Sequence, residues 1–290
     1  KKNFTFQAVP RAKKNAGAAS VKASMSAICK NLNKSKSWYY ETLASSQKVA
    51  EYEQMIVDEV LKIRAAHPAY GIRKLWHELS NLGIGIGRDK LHRILRDRGL
   101  VLPRRYKKVR TSIPGIYDSN FENLIKGVTI TRPNQAVCAD ITYIHTTEGI
   151  LYLSVLMDMY SRKILSFNIS NNLRTDGALD CLNKALKSTP ELKGAIHHSD
   201  HGCQYCSYRY LKKLQSHGLT ISFTGKNHCY DNAKIERFFN TLKHEYLIHK
   251  VLKSKRLARE LIKLSIHDYN HCRLHAGINY QIPAQLYDAA

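Results

Sequence analysis

Three acidic residues occupy places in the sequence where a merely solvated acid is unusual. Asp140 lies inside a β-rich run, at a point where alternation would put an apolar or small residue. Asp200 lies just after the end of a short predicted strand, and Glu236 lies in a helical segment just before Phe238 and Phe239. We therefore expect the Glu236 carboxylate on or beside a buried face of that helix.

Carboxylates in such places point to the chemistry of phosphodiesters. Cleavage and transfer of a phosphodiester require a nucleophilic oxygen, a stabilised leaving oxygen and shielding of the phosphate charge, and two divalent cations about 4 Å apart supply all three. Magnesium prefers oxygen ligands and keeps positions open for water and phosphate, so two or three carboxylates suffice. The 35 residues between Asp200 and Glu236 are not diagnostic alone, because a chain with 23 acidic residues offers many pairs.

The residues around the acids are more specific than their spacing. The segments that carry the information are HSDHGCQYCSYRYLKKLQSHGLTISFTG at 198–225 and DNAKIERFFNTLKHEYL at 231–247. They strongly resemble the transposases of bacterial insertion sequences, in the retroviral-integrase-like group whose enzyme is encoded in two frames. The resemblance extends to residues 140–170, 269–283 and, more loosely, 67–100. It therefore covers most of the chain after about residue 55.

This resemblance implies a ribonuclease H-like catalytic domain with a DDE triad. Matched motif by motif, the triad is Asp140, Asp200 and Glu236, and the same residues are the ligands of two Mg²⁺ ions, for which Mn²⁺ can substitute. The run SFTGKNHC at 222–229 departs from the usual pattern but leaves the triad intact. The implied activity is binding of the terminal inverted repeats of an insertion sequence, followed by metal-dependent strand cleavage and strand transfer.

Five further residues are predicted beside the triad. Asn240 and Lys243 follow the glutamate by four and seven positions, so a continuous helix would put them on its face, near a bound phosphate. An ordinary surface pair fits the same spacing. Gly202 and Asn232 are expected to form backbone turns next to the acids, and Tyr205 is expected to pack beneath them.

A cluster of histidines and cysteines in the second half of the chain raises the alternative of zinc, because C-x-x-C is a common ligand pair. No second pair of matching spacing follows Cys203 and Cys206, so the sequence disfavours a zinc site. The cluster comprises His197, His198, His201, Cys203, Cys206, His228 and Cys229. The remaining cysteines, expected as small core residues, are Cys29, Cys138, Cys181 and Cys272.

The elements that must position these residues follow from periodicity. Three β-rich runs over 137–144, 152–159 and 163–170, separated by short turns, predict an antiparallel meander. Helices and strands alternate after them, which predicts an α/β fold with a mixed sheet covered by helices. The further segments are helix 175–187, strand 195–198, helix 207–217, strand 220–223, helix 231–249 and helix 254–271, with a mostly irregular tail from Arg273.

The front of the chain is predicted to be all-α. A helix over 24–32 and a second one that Ser35 can cap suggest a helix-turn-helix, although an ordinary helical hairpin has the same spacing. Further helices are predicted over 53–66, 71–82 and 88–98. The predicted domains are a basic arm with a helix-turn-helix region (1–50), a helical DNA-binding domain (51–102), a basic linker (103–130) and the catalytic domain (131–290).

Basic residues are concentrated in the first 110 positions, which contain 24 basic and 8 acidic side chains. The whole chain has 46 Lys and Arg residues against 23 Asp and Glu residues, a net charge of +23. Such an excess is typical of proteins that bind nucleic acid, although a solvated charged face explains any single helix as well. The predicted DNA contacts are Lys34, Lys36, Arg73, Lys74, Arg88, Lys90, Arg93, Arg96, Arg104, Arg105, Lys107, Lys108 and Lys243.

The predicted partner is double-stranded DNA, both the element ends and the target. Joining two ends favours a homodimer or higher oligomer on DNA, and the resemblance adds an upstream-frame segment as a partner. The sequence has neither a long apolar run nor a secretory signal, so we expect a cytoplasmic, nucleoid-associated bacterial protein. Two alternatives remain open: a DNA-binding regulator that does not cut, and a ribonuclease H-like nuclease that does not join.

Overall fold

The computed structural model describes residues 25–103, 121–225, 232–247 and 252–290, and the chain forms two compact units, 1–102 and 103–290. The predicted basic arm, most of the predicted linker, and His228 and Cys229 lie outside the described residues. The predicted DNA contacts that lie outside them are Arg104, Arg105, Lys107 and Lys108.

The first unit is built from helices. They are α1 (Met25–Asn31), α2 (Lys36–Ala66), α3 (Ile72–Asn81) and α4 (Arg88–Asp97). Its core consists of apolar side chains that α2, α3 and α4 bury against one another, among them Val60, Leu75 and Leu91. Across the part of the chain that the structure describes, we find no helix with the length and apolar character that a membrane span requires.

Helix α2 begins where the sequence predicts a helix start. The Ser35 side chain accepts a hydrogen bond from the Trp38 backbone N–H at 3.0 Å, which satisfies one of the unpaired donors of the first turn. The separate helices predicted on either side of residue 50 are wrong, because α2 runs unbroken to Ala66. No Gly or Pro lies between its ends to stop it. The predicted domain boundary at residue 50 thus falls inside one helix.

The second unit contains a five-stranded mixed sheet, as predicted. Its strands are β1 (Ala136–Thr146), β2 (Gly149–Asp158), β3 (Ile164–Ser170), β4 (Ile196–Ser199) and β5 (Thr220–Phe223). The order across the sheet is β3-β2-β1-β4-β5. The first three strands form the predicted antiparallel meander, whereas β4 runs parallel to β1 and β5 parallel to β4. The central strand β1 therefore has β2 on one side and β4 on the other.

Helices cover both faces of this sheet. Ile235 and Ile262 belong to the core on one face, and Leu182 and Leu214 to the core on the other. Alternate residues of β1 enter the two cores, as a doubly covered strand requires. The helices are α5 (Thr175–Ser188), α6 (Tyr208–Ser216), α7 (Ala233–Thr241), α8 (Lys255–His271) and α9 (Pro283–Asp288), with 3₁₀ turns at Pro190–Leu192 and Ala276–Ile278 and a π-helical turn at Leu242–Leu247.

Three expectations about this unit are wrong. The helix predicted over 231–249 is α-helical only to Thr241, after which the chain forms the wider π turn. The tail predicted as mostly irregular contains α9, which Pro283 begins with its preset backbone angle. Cys272 is exposed, because it follows the last turn of α8 rather than facing the core, whereas Cys29, Cys138 and Cys181 are buried as expected.

An ion pair attaches the π turn to the C-terminal segment. Arg273 donates from Nε and Nη2 to the two carboxylate oxygens of Glu245, each at 2.9 Å. Only 7% of the Arg273 side chain and 25% of the Glu245 side chain are exposed. This two-point contact connects residues 28 positions apart, and it holds the turn that follows α7.

Replacement of Arg273 by Met should lower the free energy of unfolding of the second unit by about 3 kcal/mol, since Glu245 would lose the partner of a largely buried charge. Lys263→Met is the control, because its pair with Glu260 is exposed and should contribute less than about 1 kcal/mol. Guanidinium chloride denaturation followed by circular dichroism measures both. Equal losses in the two variants would contradict a structural role for the Arg273 pair.

Candidate active site

The ladder between β1 and β4 brings two of the predicted acids to neighbouring positions. The last paired residues along these parallel strands are Ala139 and Ser199. Asp140 and Asp200 are the next residue on each, and neighbouring strands lie about 4.8 Å apart. Asp140 is half-buried inside β1, and Asp200 begins the loop after β4. The two carboxylates therefore lie at one end of this ladder.

The loop after β4 orients Asp200. The Gly202 backbone N–H donates to Asp200 Oδ1 at 3.0 Å. A Cβ atom at position 202 would lie 3.0 Å from that oxygen and 3.3 Å from Gln204 Oε1, so a larger residue would push the carboxylate away. Gln204, which was not among the predicted site residues, ties the loop down by donating to the Leu173 carbonyl at 2.9 Å. Its place inside the HSDHGCQYC block was the available sequence signal.

Helix α7 carries the third acid. Glu236 lies in its first turn and is exposed, and its backbone N–H donates to the Asn232 carbonyl at 3.2 Å. Asn232 is buried at the start of the helix, and its Nδ2 donates to the Ala139 carbonyl at 3.5 Å, the long limit of a hydrogen bond. The beginning of α7 thus contacts β1 directly beside Asp140.

The charges of these residues act on one another. The pKa of Asp140 is raised to about 8, first by burial and then by the negative charge of Asp200, while the Ile141 backbone N–H opposes the shift. Glu236 raises this pKa further and Lys243 lowers it. Burial also raises the pKa of Asp200, against the hydrogen bond from Gly202. The three carboxylates and one lysine therefore share an electrostatic environment.

The oxygen atoms of the neighbouring carboxylates are suitable ligands for hard divalent cations. Among the described residues, no three His, Cys, Asp or Glu side chains lie close enough together to bind a single metal ion. The acids that neighbour each other supply carboxylate oxygens, which are the ligands that Mg²⁺ and Mn²⁺ prefer. His197 and His198 instead bond within the core, to Tyr210 Oη at 3.0 Å and Ser222 Oγ at 2.9 Å.

The remaining predicted neighbours of the acids differ in their placement. Tyr205 is buried, and its ring packs edge-on against Tyr210 at a centroid distance of 5.3 Å. Asn240 is exposed on α7. Lys243 lies in the π turn rather than in the α-helix, so the predicted seven-residue spacing on one helix face does not apply to it. Its charge nevertheless reaches Asp140.

Two of the predicted DNA contacts on α4 lie on its outer surface. Arg88 and Arg96 are exposed, and their contacts are with the adjacent acids Asp89 at 3.5 Å and Asp97 at 3.6 Å. They are eight residues apart and lie on one side of the helix. Both guanidinium groups can therefore turn towards a phosphate without breaking a contact to another helix.

The other two basic residues of α4 are held against α2. Lys90 Nζ lies 4.8 Å from the centre of the Tyr52 ring, and Arg93 lies 3.5 Å from Glu53. Elsewhere in the first unit, Lys34 lies over the Trp38 ring. The remaining predicted contacts of this unit are the exposed Lys36 and Arg73 and the half-buried Lys74.

Comparison with protein families adds three matches. A family model described as an integrase core domain matches residues 130–229, and a second model with the same description matches residues 217–283. A model described as an HTH-like domain matches residues 51–108. Together these matches include the second half of the first unit and most of the second unit.

Curated relatives match over at least three quarters of the chain. The insertion element IS600 uncharacterized 31 kDa protein of Shigella sonnei is 33% identical over 262 residues, 89% of this chain and 96% of that protein. The transposase InsF for insertion sequence IS3A of Escherichia coli (strain K12) is 31% identical over 270 residues, 90% of this chain and 93% of that protein. The transposase for insertion sequence element IS629 of Shigella sonnei is 33% identical over 76% of this chain and 74% of its own length.

Among solved structures, the HTLV-2 integrase catalytic core domain in complex with magnesium (trimeric form) is similar over 54% of this chain and 97% of that chain. Its sequence identity is 16% and its TM-score 0.44.

The buried His197 allows a test of the core beneath the acids. Burial, together with the neighbouring His198, lowers the pKa of His197 to about 3, so protonation favours the unfolded chain. The stability that the neutral ring provides is complete above pH 6.5 and is lost as the pH falls below it, by about 2 kcal/mol at pH 5. The raised pKa of Asp140 acts in the opposite direction, so the comparison needs a variant.

Relative to wild type, His197→Gln should gain about 2 kcal/mol of stability between pH 8 and pH 5, because a glutamine does not take up a proton. Urea denaturation at both pH values, with a chelator present, measures this difference. Parallel pH profiles for the two proteins would show that His197 is not held neutral by the fold.

Proposed function

This chain belongs to the insertion-sequence transposases that carry an integrase core domain and an HTH-like domain, and from that premise we propose that it cleaves and joins DNA strands at the ends of its own element. In this proposal it binds the terminal inverted repeats, exposes a 3′ hydroxyl and directs that hydroxyl at another phosphodiester. The observation that supports it most is the adjacency of Asp140 and Asp200 beside the helix that carries Glu236.

The three acids share one role in this proposal. Asp140, Asp200 and Glu236 would hold the divalent cations through their carboxylate oxygens. Mg²⁺, or Mn²⁺ in its place, would activate the attacking oxygen and neutralise the leaving one. The Gly202 N–H keeps the Asp200 carboxylate turned towards the loop end of β4, and Lys243 supplies positive charge beside Asp140.

The HTH-like unit is proposed to hold the DNA. Its exposed arginines on α4 can reach phosphates, and further basic residues follow this unit in the sequence. Joining requires two ends in one complex, so at least two protomers are proposed to assemble on DNA, with an upstream-frame segment as a further partner. The same catalytic site would then act on target DNA.

Glu236→Gln should reduce the rate of strand cleavage at least about 100-fold. Its affinity for terminal DNA should be nearly unchanged, because the substitution removes a charge that is proposed to bind metal and not one that binds phosphate. Glu260→Gln, which changes an exposed glutamate on α8, is the control and should cleave normally. Labelled duplexes carrying the element's own ends, incubated with Mg²⁺, report cleavage and joining in one assay.

Full cleavage by Glu236→Gln would remove the assignment of the triad. Cleavage by the wild type without joining would indicate a nuclease, and DNA binding without cleavage would indicate a regulator.

The two sides of α4 should contribute differently to DNA binding. Replacing Arg88 and Arg96 together by Ala should weaken binding and reduce the slope of log affinity against log salt concentration by about 2, roughly 0.9 for each phosphate that is no longer neutralised. Replacing Lys90 and Arg93 together, which removes the same charge from the side held by α2, should change the slope by less than half as much. Fluorescence anisotropy over a potassium chloride series measures both. Identical slopes would show that only net charge matters.

A further inference from the structure

Asn232 stands at the start of α7 but does not perform the task that asparagine usually performs there. At a helix start the side-chain oxygen normally accepts a backbone N–H of the first turn. Here the side chain makes no such bond to its own helix. Only 5% of the residue is exposed, and its Nδ2 is directed at the carbonyl of Ala139 on β1. Its contact is therefore between elements rather than within α7.

The carbonyl that Asn232 contacts lies at the end of the β1–β4 ladder. The Gln135 carbonyl accepts from Ile196 on the β4 side, and the Ala136 carbonyl accepts from Met159 on the β2 side. Because carbonyls alternate in direction along a strand, that of Ala139 points towards β4. β4 ends at Ser199, so the Asn232 amide meets this carbonyl at the point where Asp140 and Asp200 leave the ladder.

The side-chain oxygen of Asn232 is placed unfavourably. Within the described residues, Asn232 Oδ1 is buried without a hydrogen-bond partner. Leaving a buried acceptor unsatisfied costs on the order of 1–3 kcal/mol. A serine, equally good at starting a helix, would avoid most of this cost. Helix capping alone therefore does not explain why an asparagine lies at this position with its side-chain N–H groups directed at β1.

The contact between Asn232 and the Ala139 carbonyl also affects the position of Glu236. This glutamate follows Asn232 by four residues, so its side chain lies one turn further along the same face of α7. A helix attached to β1 at Ala139 therefore presents that glutamate to the residue after Ala139, which is Asp140. We propose that Asn232 is a positioning residue, whose amide joins α7 to the end of the β1–β4 ladder and keeps the turn that carries Glu236 beside Asp140, so that this glutamate can add to the cation binding of the two aspartates. This inference rests on the function proposed above.

The test separates this link from helix capping. Asn232→Ser retains a capping group but is too short to reach Ala139. Its thermal unfolding midpoint should equal that of the wild type, whereas its affinity for Mn²⁺, measured by calorimetry on the full chain, should fall about 10-fold. Asn270→Ser is the matched control: this buried asparagine exchanges two 2.9 Å hydrogen bonds with Ile164. It should lose thermal stability and bind Mn²⁺ like the wild type.

A second measurement tests whether Asn232 acts through the glutamate. In a Glu236→Gln background, Asn232→Ser should cause no further loss of Mn²⁺ affinity, because the group that it positions is already gone. Wild-type Mn²⁺ affinity in Asn232→Ser would overturn the proposal, as would an affinity loss accompanied by a lowered midpoint. If Glu236→Gln itself binds Mn²⁺ and cleaves normally, the proposed function is contradicted. If Glu236→Gln loses Mn²⁺ affinity and cleavage but Asn232→Ser binds Mn²⁺ like the wild type, the triad is supported and only the positioning role of Asn232 is contradicted.

Discussion

Two carboxyl groups lie beside each other at one end of the β1–β4 ladder of this protein because the register of the two strands puts them there. Ala139 pairs with Ser199, and the next residue on each side is an aspartate. Burial, together with the negative charge of Asp200, raises the pKa of Asp140 to about 8, which means that the fold holds this carboxylate in an unfavourable environment. Such a cost is typical of functional sites, where groups are kept for what they bind rather than for stability.

The surrounding elements keep that arrangement from relaxing. The absence of a side chain at Gly202 leaves room for the Asp200 carboxylate, and Gln204 ties the same loop to the Leu173 carbonyl. On the other side, α7 contacts β1 through Asn232, and the turn after α7 is held by the Arg273–Glu245 pair. The acids therefore belong to separate segments, each with its own attachment to the core. A change in any one attachment would alter the distances between them without unfolding the sheet.

Much of this architecture could be predicted because its causes are local. The alternation of apolar residues in β1, β2 and β3 follows from the pleat, and the start of α2 follows from the oxygen of Ser35. The segments around Asp140, Asp200 and Glu236, which resemble those of insertion-sequence transposases, predicted the catalytic fold and the candidate acids.

The expectations that proved wrong depend on packing or on small backbone changes. The apolar residues of α2 form two stretches, and the sequence pattern predicted a separate helix for each. Only the second stretch, which carries Ile56, Val57 and Val60, is buried in the core. The change from α-helix to π turn at Leu242 moves Lys243 away from the position that α-helical spacing from Glu236 predicts, and no residue pattern indicates this change. The contact between Asn232 and Ala139 joins residues 93 positions apart, so spacing could not predict it.

The unbroken α2 has a mechanical consequence. Its residues before about position 52 contribute no fully buried side chain, so roughly 24 Å of helix extends from the packed part of the first unit towards α1. A continuous α-helix bends little over that length, and its hydrogen bonds have no weak point at a Gly or Pro. A load applied at α1 would be transmitted as torque to the helices that carry the outward-facing arginines.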